Sequence, residues 1–267
     1  MIFRIDGEIA EMLALTPIIR EWTRRNGNKV LVETKTPEIF NGNPDVLMAG
    51  DGNVMARDSY YDMNQVRWRK LGISVEEIYA EMIFGDKNLR SWKPEMYVSD
   101  DTMKQAVSRL PDKKPVAAIF FEDKVIGKDS SQGAIDSVGE AGYEIVNLDS
   151  FESYGLKYAA ISNVDLFVGS DGDVSAIALA TDTPAIVCYS YRSPHYFPPF
   201  RRGIPYTALV PDRVVCEHAP VCHSRHSFSQ YASLYSQECV LEEKFACMTR
   251  NLKDDVSKAI SRMRDKA

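Results

Sequence analysis

Apolar residues in this chain fall into two alternating rhythms from the first residue onward. Ile2-Phe3-Arg4-Ile5 is a short strand-like run. Ile9, Met12, Leu13, Ile18, Ile19 and Trp22 then recur at three- and four-residue intervals, marking one face of an amphipathic helix. Pro17 lies inside that helix and has no N–H for the preceding turn, so a kink or restart is expected there. Asn26-Gly27-Asn28 reads as a turn and Lys29-Val30-Leu31-Val32-Glu33 as a second strand. Thr36-Pro37-Glu38 predicts a short helix, with a Thr cap and Pro at the first helical position, stopping at Asn41-Gly42-Asn43-Pro44. From residue 45 to 110 the pattern is weaker, and helices are predicted only around 74–83 and 100–110.

Pro111-Asp112-Lys113-Lys114-Pro115 holds two prolines with no apolar residue between them and reads as a linker that lets its flanks move. Beyond it the rhythm restarts. Strands are predicted at Val116–Phe121, Tyr143–Leu148, Val164–Val168 and Ala185–Tyr189. Helices are predicted at Ser131–Ala141, Phe151–Ser162 and Val174–Ala180. Strands separated by helices of this length imply parallel sheets with right-handed crossovers. The pattern therefore predicts an α/β chain of two Rossmann-like domains facing across a cleft, residues 1–110 and 116–241, followed by a polar amphipathic helix within 242–267. Open parallel sheets bind ligands beyond the carboxyl ends of their strands, which places the site in that cleft.

Composition narrows the class. At 267 residues, 45% hydrophobic and 26% charged, the chain has the make-up of a soluble globular protein. A formal charge of −6 and a pI near 5.4 argue against general nucleic-acid binding or attachment to an anionic membrane. No window approaches the roughly 20 apolar residues of a membrane span. The N-terminus reaches charge within four residues and lacks a signal-peptide core. Five cysteines, an odd number, do not make a disulfide framework, so a reduced cytoplasmic protein is expected. No Gly-x-Gly-x-x-Gly follows a predicted strand, which argues against a dinucleotide oxidoreductase.

The first candidate for chemistry is Gly169-Ser170-Asp171-Gly172-Asp173-Val174-Ser175-Ala176, between a strand and a helix N-terminus. Free N–H groups and the helix dipole favour an anion there, and Gly172 lets backbone approach a ligand. The carboxylates of Asp171 and Asp173 suit sugar or ribose hydroxyls better than phosphate. The same residues also read as a plain N-capped turn.

Around this loop the sequence resembles a known family. Ile161–Gly172, followed by Ala178-Leu179-Ala180-Thr181-Asp182-Thr183-Pro184-Ala185-Ile186-Val187, is similar to glycosyltransferase family nine, the bacterial heptosyltransferases. That family has Asp-Ser/Thr-Gly-x-x-His before an Ala-rich helix and a Gly-x-Pro turn into the next strand. Ala10–Arg20 resembles the family's Gly-Asp-x-x-x-x-x-Pro helix start, and Ile39–Val46 its Gly-Asn-Pro-Asp-Val segment.

The resemblance implies a GT-B fold, with an acceptor-side N-terminal domain and a C-terminal domain for a nucleotide-sugar donor. The last helix would cross back to the first domain. The reaction would be inverting transfer to a saccharide or other hydroxyl acceptor, without a catalytic metal. By position Glu11 takes the place of the family's catalytic base, with Asp6 and Glu8 close by. The diphosphate would meet the loop after Val116–Phe121, where Lys124 or Lys128 supplies the cation. Two departures stand out. The family histidine is Ala176 here, and the chain is short for the family, so a binding or scaffold protein without turnover is the competing expectation.

Cys216, His218, Cys222 and Cys239 lie in a segment holding three of the five cysteines and three of the four histidines. Thiolate and imidazole are ligands of structural zinc and of some iron sites, and a subset of the resembled family binds a metal near this point. Cys-x5-Cys is wider than a zinc knuckle, and the segment reads equally as reduced cysteines beside exposed histidines. A nucleic-acid module built on it does not suit the acidic charge. The aromatic run Tyr189–Phe200 either stacks on a base or sugar, with Arg192 at a phosphate, or packs as a hinge.

Overall fold

The computed structural model describes residues 1–48, 60–63, 74–112, 115–122, 126–189, 205–210 and 251–265. Within them lie β1 (Ile2–Arg4), α1 (Ile9–Asn26), β2 (Val30–Glu33), β3 (Val46–Met48), β4 (Tyr60–Asp62), α2 (Val75–Phe84) and α3 (Asp100–Val107). After the proline-rich segment come β5 (Val116–Phe120), α4 (Lys128–Glu140), β6 (Glu144–Asn147), α5 (Tyr154–Ile161) and β7 (Leu166–Ser170). They are followed by α6 (Asp173–Ala180), β8 (Ala185–Cys188), β9 (Tyr206–Leu209) and α7 (Lys253–Arg264). All strand pairs are parallel and form two sheets, ordered β3-β2-β1-β4 and β6-β5-β7-β8-β9. The fold is therefore α/β, with two parallel-sheet units.

The second sheet shows why its strands are apolar without interruption. Val116, Ala118, Phe167, Ala185 and Val187 face one core, while Ala117, Ile119, Leu166, Val168, Ile186 and Cys188 face another. This is the two-residue pleat of a sheet covered on both sides. The outer core is closed by Val138 of α4 and by Leu252, Val256 and Ile260 at α7. The terminal helix, expected to cross back to the N-terminal domain, instead lies over Lys253–Arg264 against α4, β9 and this outer face. Its apolar residues Val256, Ala259 and Ile260 form one stripe, and Ser137 Oγ donates to Lys253 O at 2.6 Å.

The inner core runs through both units. Phe3, Ile5 and the apolar face of α1 belong to the same cluster as Phe167, Val174, Ala176 and Ile177. Every residue of α6 from Val174 to Ala180 is buried, because β7 and β8 lie on one side of it and α1 on the other. Likewise α3, before the proline-rich segment, packs on α5 beyond it.

Helix α1 passes through Pro17 as a continuous run. Proline leaves Leu13 O without its usual donor four residues on. The Thr16 hydroxyl takes that carbonyl at 2.8 Å and accepts from Glu95 N at 2.9 Å. The expected break is thus replaced by a side-chain bridge to the segment after α2. Thr36-Pro37-Glu38 forms a single 3₁₀ turn, Pro37–Ile39, rather than a helix. The strands β3, β4 and β9, absent from the sequence reading, are only three or four residues long.

Candidate functional site

Both sheets reverse their strand order beside the point where the units meet, next to β1 in the first and between β5 and β7 in the second. The loop after β7 is held firmly. Asp171 N donates to Cys188 O at 3.0 Å, and Ser170 Oγ, 1% exposed, accepts from Glu122 N at 2.8 Å. Gly172 caps the N-terminus of α6 at φ 157°, a region side chains avoid. A Cβ there would lie 2.6 Å from Glu122 Oε1. The Ser175 hydroxyl accepts from Gly172 N at 3.0 Å and returns a bond to Gly172 O at 2.8 Å.

Asp173, first in α6, joins the two units. Its Oδ1 accepts from Ile9 N, the first residue of α1, at 3.2 Å, and its Oδ2 accepts from the Tyr154 hydroxyl at 3.2 Å. Two helix N-termini therefore converge on one carboxylate, as the dipoles favour. Burial nevertheless raises its pKa above the ordinary aspartate value, and the nearby charge of Glu8 adds to the rise. Tyr154 is pushed up to about 12 by burial and by the charge of Asp173.

Beside this junction lies a cavity of about 320 Å³. The N-terminal unit lines it with Glu38, from the Pro37–Ile39 turn. The C-terminal unit contributes the end of β5 (Phe120, Glu122), the start of α5 (Tyr154, Lys157) and the start of α6 (Asp173, Val174), with Asp149 and Glu152 between. This is the crevice beyond the strand ends that the sheet topology predicts. Its lining is acidic, with Lys157 the cation among the described lining residues.

The sequence-based candidates are distributed unevenly around it. Asp173 lines the cavity, whereas Asp171 and Gly172 sit in the loop beside it, Asp171 only 6% exposed. Glu11 is 3% exposed, and its Oε2 accepts from Glu8 N at 3.0 Å in the first turn of α1. Glu8 stands half-exposed at the head of that helix. Lys128, the first residue of α4, is exposed and outside the cavity lining. Ala176, in place of the family histidine, is 7% exposed and belongs to the inner core. Lys124, Arg192, Cys216, His218, Cys222 and Cys239 lie outside the described residues. Among the described residues no group of three or more His, Cys, Asp or Glu is placed to hold a metal ion, and no helix is long and apolar enough to cross a membrane.

The sequence reading missed Tyr154, Lys157, Glu38 and Asp149. Each lies on or beside a short turn rather than in a recognisable motif. Tyr154 and Lys157 carried one signal, three-residue spacing at the start of a predicted helix, which puts them on one face.

No protein-family model and no curated protein sequence matches this chain. Solved structures do. The bacterial iron-containing dodecameric glycosyltransferase TibC of enterotoxigenic E. coli superposes with a TM-score of 0.68 at 12% identity, over 99% of this chain and 78% of that one. The glycosyl transferase family 9 structure from Veillonella parvula gives 0.67 at 11% identity, over 100% of this chain and 97% of that one. The E. coli heptosyltransferase WaaC with ADP gives 0.52 at 11% identity, over 79% and 93%. The chain thus shares the fold of the family 9 glycosyltransferases its motifs resemble.

Proposed function

We propose that this protein is a glycosyltransferase that moves a sugar from a nucleoside-diphosphate donor to a hydroxyl acceptor with inversion. The observation that carries this reading is the meeting of the α1 and α6 N-termini at Asp173, beside a cavity shared by both units. A TibC structure holds ADP-D-beta-D-heptose and the WaaC structure holds ADP, which makes adenine nucleotides the first donors to test.

Inverting transfer needs a base for the acceptor hydroxyl and stabilisation of the departing diphosphate. The base comes from the first turn of α1. The sequence order nominates Glu11, yet its carboxylate is buried and caps Glu8 N–H. Glu8 is half-exposed and close enough for its charge to raise the pKa of Asp173. In this reading Glu8 takes the proton and Glu11 holds the turn that presents it. Asp173 and Glu38 accept from sugar hydroxyls.

A structural zinc or iron bound by Cys216, Cys222, Cys239 and His218 is proposed on their ligand chemistry, and elemental analysis of the purified protein tests it. The second reading, a binding protein without turnover, is favoured by the burial of Ala176 where the family has histidine.

A thermal-shift titration against ADP, UDP, GDP, CDP and their sugar conjugates, followed by turnover assays, separates the readings. A shift with one nucleotide series plus release of that nucleotide supports the enzyme. A shift without release supports the binding protein, and no shift from folded protein overturns the donor-site assignment.

A further inference from the structure

Lys157 is held in an unusual way for a lysine at a cavity wall. Its Nζ donates to Leu148 O at 2.8 Å and to Phe151 O, and lies 5.5 Å from the centre of the Phe120 ring. Both carbonyls bracket the 3₁₀ turn Leu148–Ser150 that follows β6. Arg109 takes the carbonyl between them, Ser150 O, at 3.2 Å and pairs with Glu152 at 3.1 Å. Glu152 is thereby drawn toward Arg109. Among the described residues no carboxylate lies within ion-pair distance of the Lys157 ammonium.

An ammonium has three donors, and two are committed to carbonyls. Burial pulls its pKa below the usual lysine value, the expected result for a charge removed from water without an anion in contact. The carboxylates Asp173 and Glu38 lie toward the N-terminal unit, the former bound to Ile9 N and Tyr154. The cavity therefore has carboxylates suited to hydroxyls toward the N-terminal unit, and at the Leu148–Phe151 turn it has the Lys157 ammonium with Asp149 and Glu152 nearby but not in contact with it.

We infer that Lys157 is the residue that contacts the anionic group of the ligand in this cavity, through the donor it does not give to Leu148 and Phe151. The inference rests on the donor-site reading above, under which that group is the diphosphate. It differs from the loop lysines nominated by the sequence, since Lys157 projects from α5.

The test is calorimetric titration of wild-type, K157M and K157R protein with ADP and with adenosine. Loss of one charge-assisted hydrogen bond should weaken ADP binding about tenfold or more in K157M while adenosine affinity stays within about twofold. K157R, which keeps the charge, should recover most of the ADP affinity. Equal weakening of ADP and adenosine in K157M would mean that Lys157 only holds the turn, and would overturn the inference. So would unchanged ADP affinity in both variants, leaving the donor-site reading intact. Wild-type protein that binds neither probe would overturn the donor site for adenine nucleotides, and Lys157's part in it as well.

Discussion

Ile9 and Asp173 are 164 residues apart in the chain, yet the backbone N–H of one is bound by the carboxylate of the other at 3.2 Å, first residue of one helix to first residue of another. The bond needs an acceptor at that point but not a charge. Burial and the nearby charge of Glu8 raise the pKa of Asp173, so ionising it costs the folded state. Stability from this group is greatest below the unfolded aspartate pKa and falls as pH rises toward the folded value. D173N should therefore leave the melting temperature at neutral pH unchanged or higher. D173A, which orphans Ile9 N–H and the Tyr154 hydroxyl, should cost about 1–3 kcal/mol in denaturant melts.

If Glu8 is the base, E8Q should reduce kcat about 100-fold or more with nucleotide affinity intact. E11Q should have a smaller effect on kcat, because an amide oxygen can still accept from Glu8 N–H. The reverse order in turnover assays would restore Glu11 to the catalytic role.

Thr16 links the carbonyl freed by Pro17 to the backbone N–H of Glu95. T16V keeps the shape and removes both bonds in a site that is fully buried. A loss of about 2 kcal/mol is expected by urea unfolding, with the slope unchanged.

Gly169 pairs with Phe120 across β7 and β5. A Cβ at Gly169 would stand 2.5 Å from Phe120 O and 2.6 Å from the Phe167 ring. One of these is backbone and cannot swing aside, so G169A should destabilise by about 3 kcal/mol. It should also disturb Glu122, whose N–H is held one residue further on by Ser170.

Glu21 is 4% exposed in its side chain and receives Arg24 through two nitrogens, at 2.8 and 2.6 Å, and Arg25 at 2.7 Å. Hydrogen bonds from Arg24, then Arg25, pull its carboxyl from 4.5 down to about 2. The resulting stability is present above pH 4.5 and is lost as pH falls through the folded value. E21Q should cost about 1–2 kcal/mol at pH 7, allowing for the solvent exposure of Arg24, and the gap from wild type should close near pH 2.

The second unit was legible because its strands are continuous apolar runs punctuated by helices of ordinary length. The first unit was legible at β1, α1 and β2, where the same periods hold. Its remaining strands were not: Val46–Met48 and Tyr60–Asp62 are too short for two-residue alternation to show. Pro17 misled for a different reason. The cure for its missing N–H lies in Thr16, adjacent in sequence, but the bridge is completed by Glu95, which no local pattern connects to it. At the site, Asp173 was found because it follows a strand and starts a helix. Lys157 was not, because two carbonyls and a ring set its position, and none of these leaves a trace in side-chain spacing.

The complete burial of α6 bears on how such a chain can be re-engineered or can diverge. A helix wedged between its own sheet and α1 is an internal wall common to both units. Transplanting the C-terminal unit onto a foreign N-terminal unit would expose Val174, Ile177 and Ala178 or press them against a surface not shaped for them. Module shuffling at this boundary is closed to the architecture unless α1 travels with α6. Variation is therefore channelled into the rim of the cavity, where Glu38, Asp149 and Glu152 can change without breaching the shared wall.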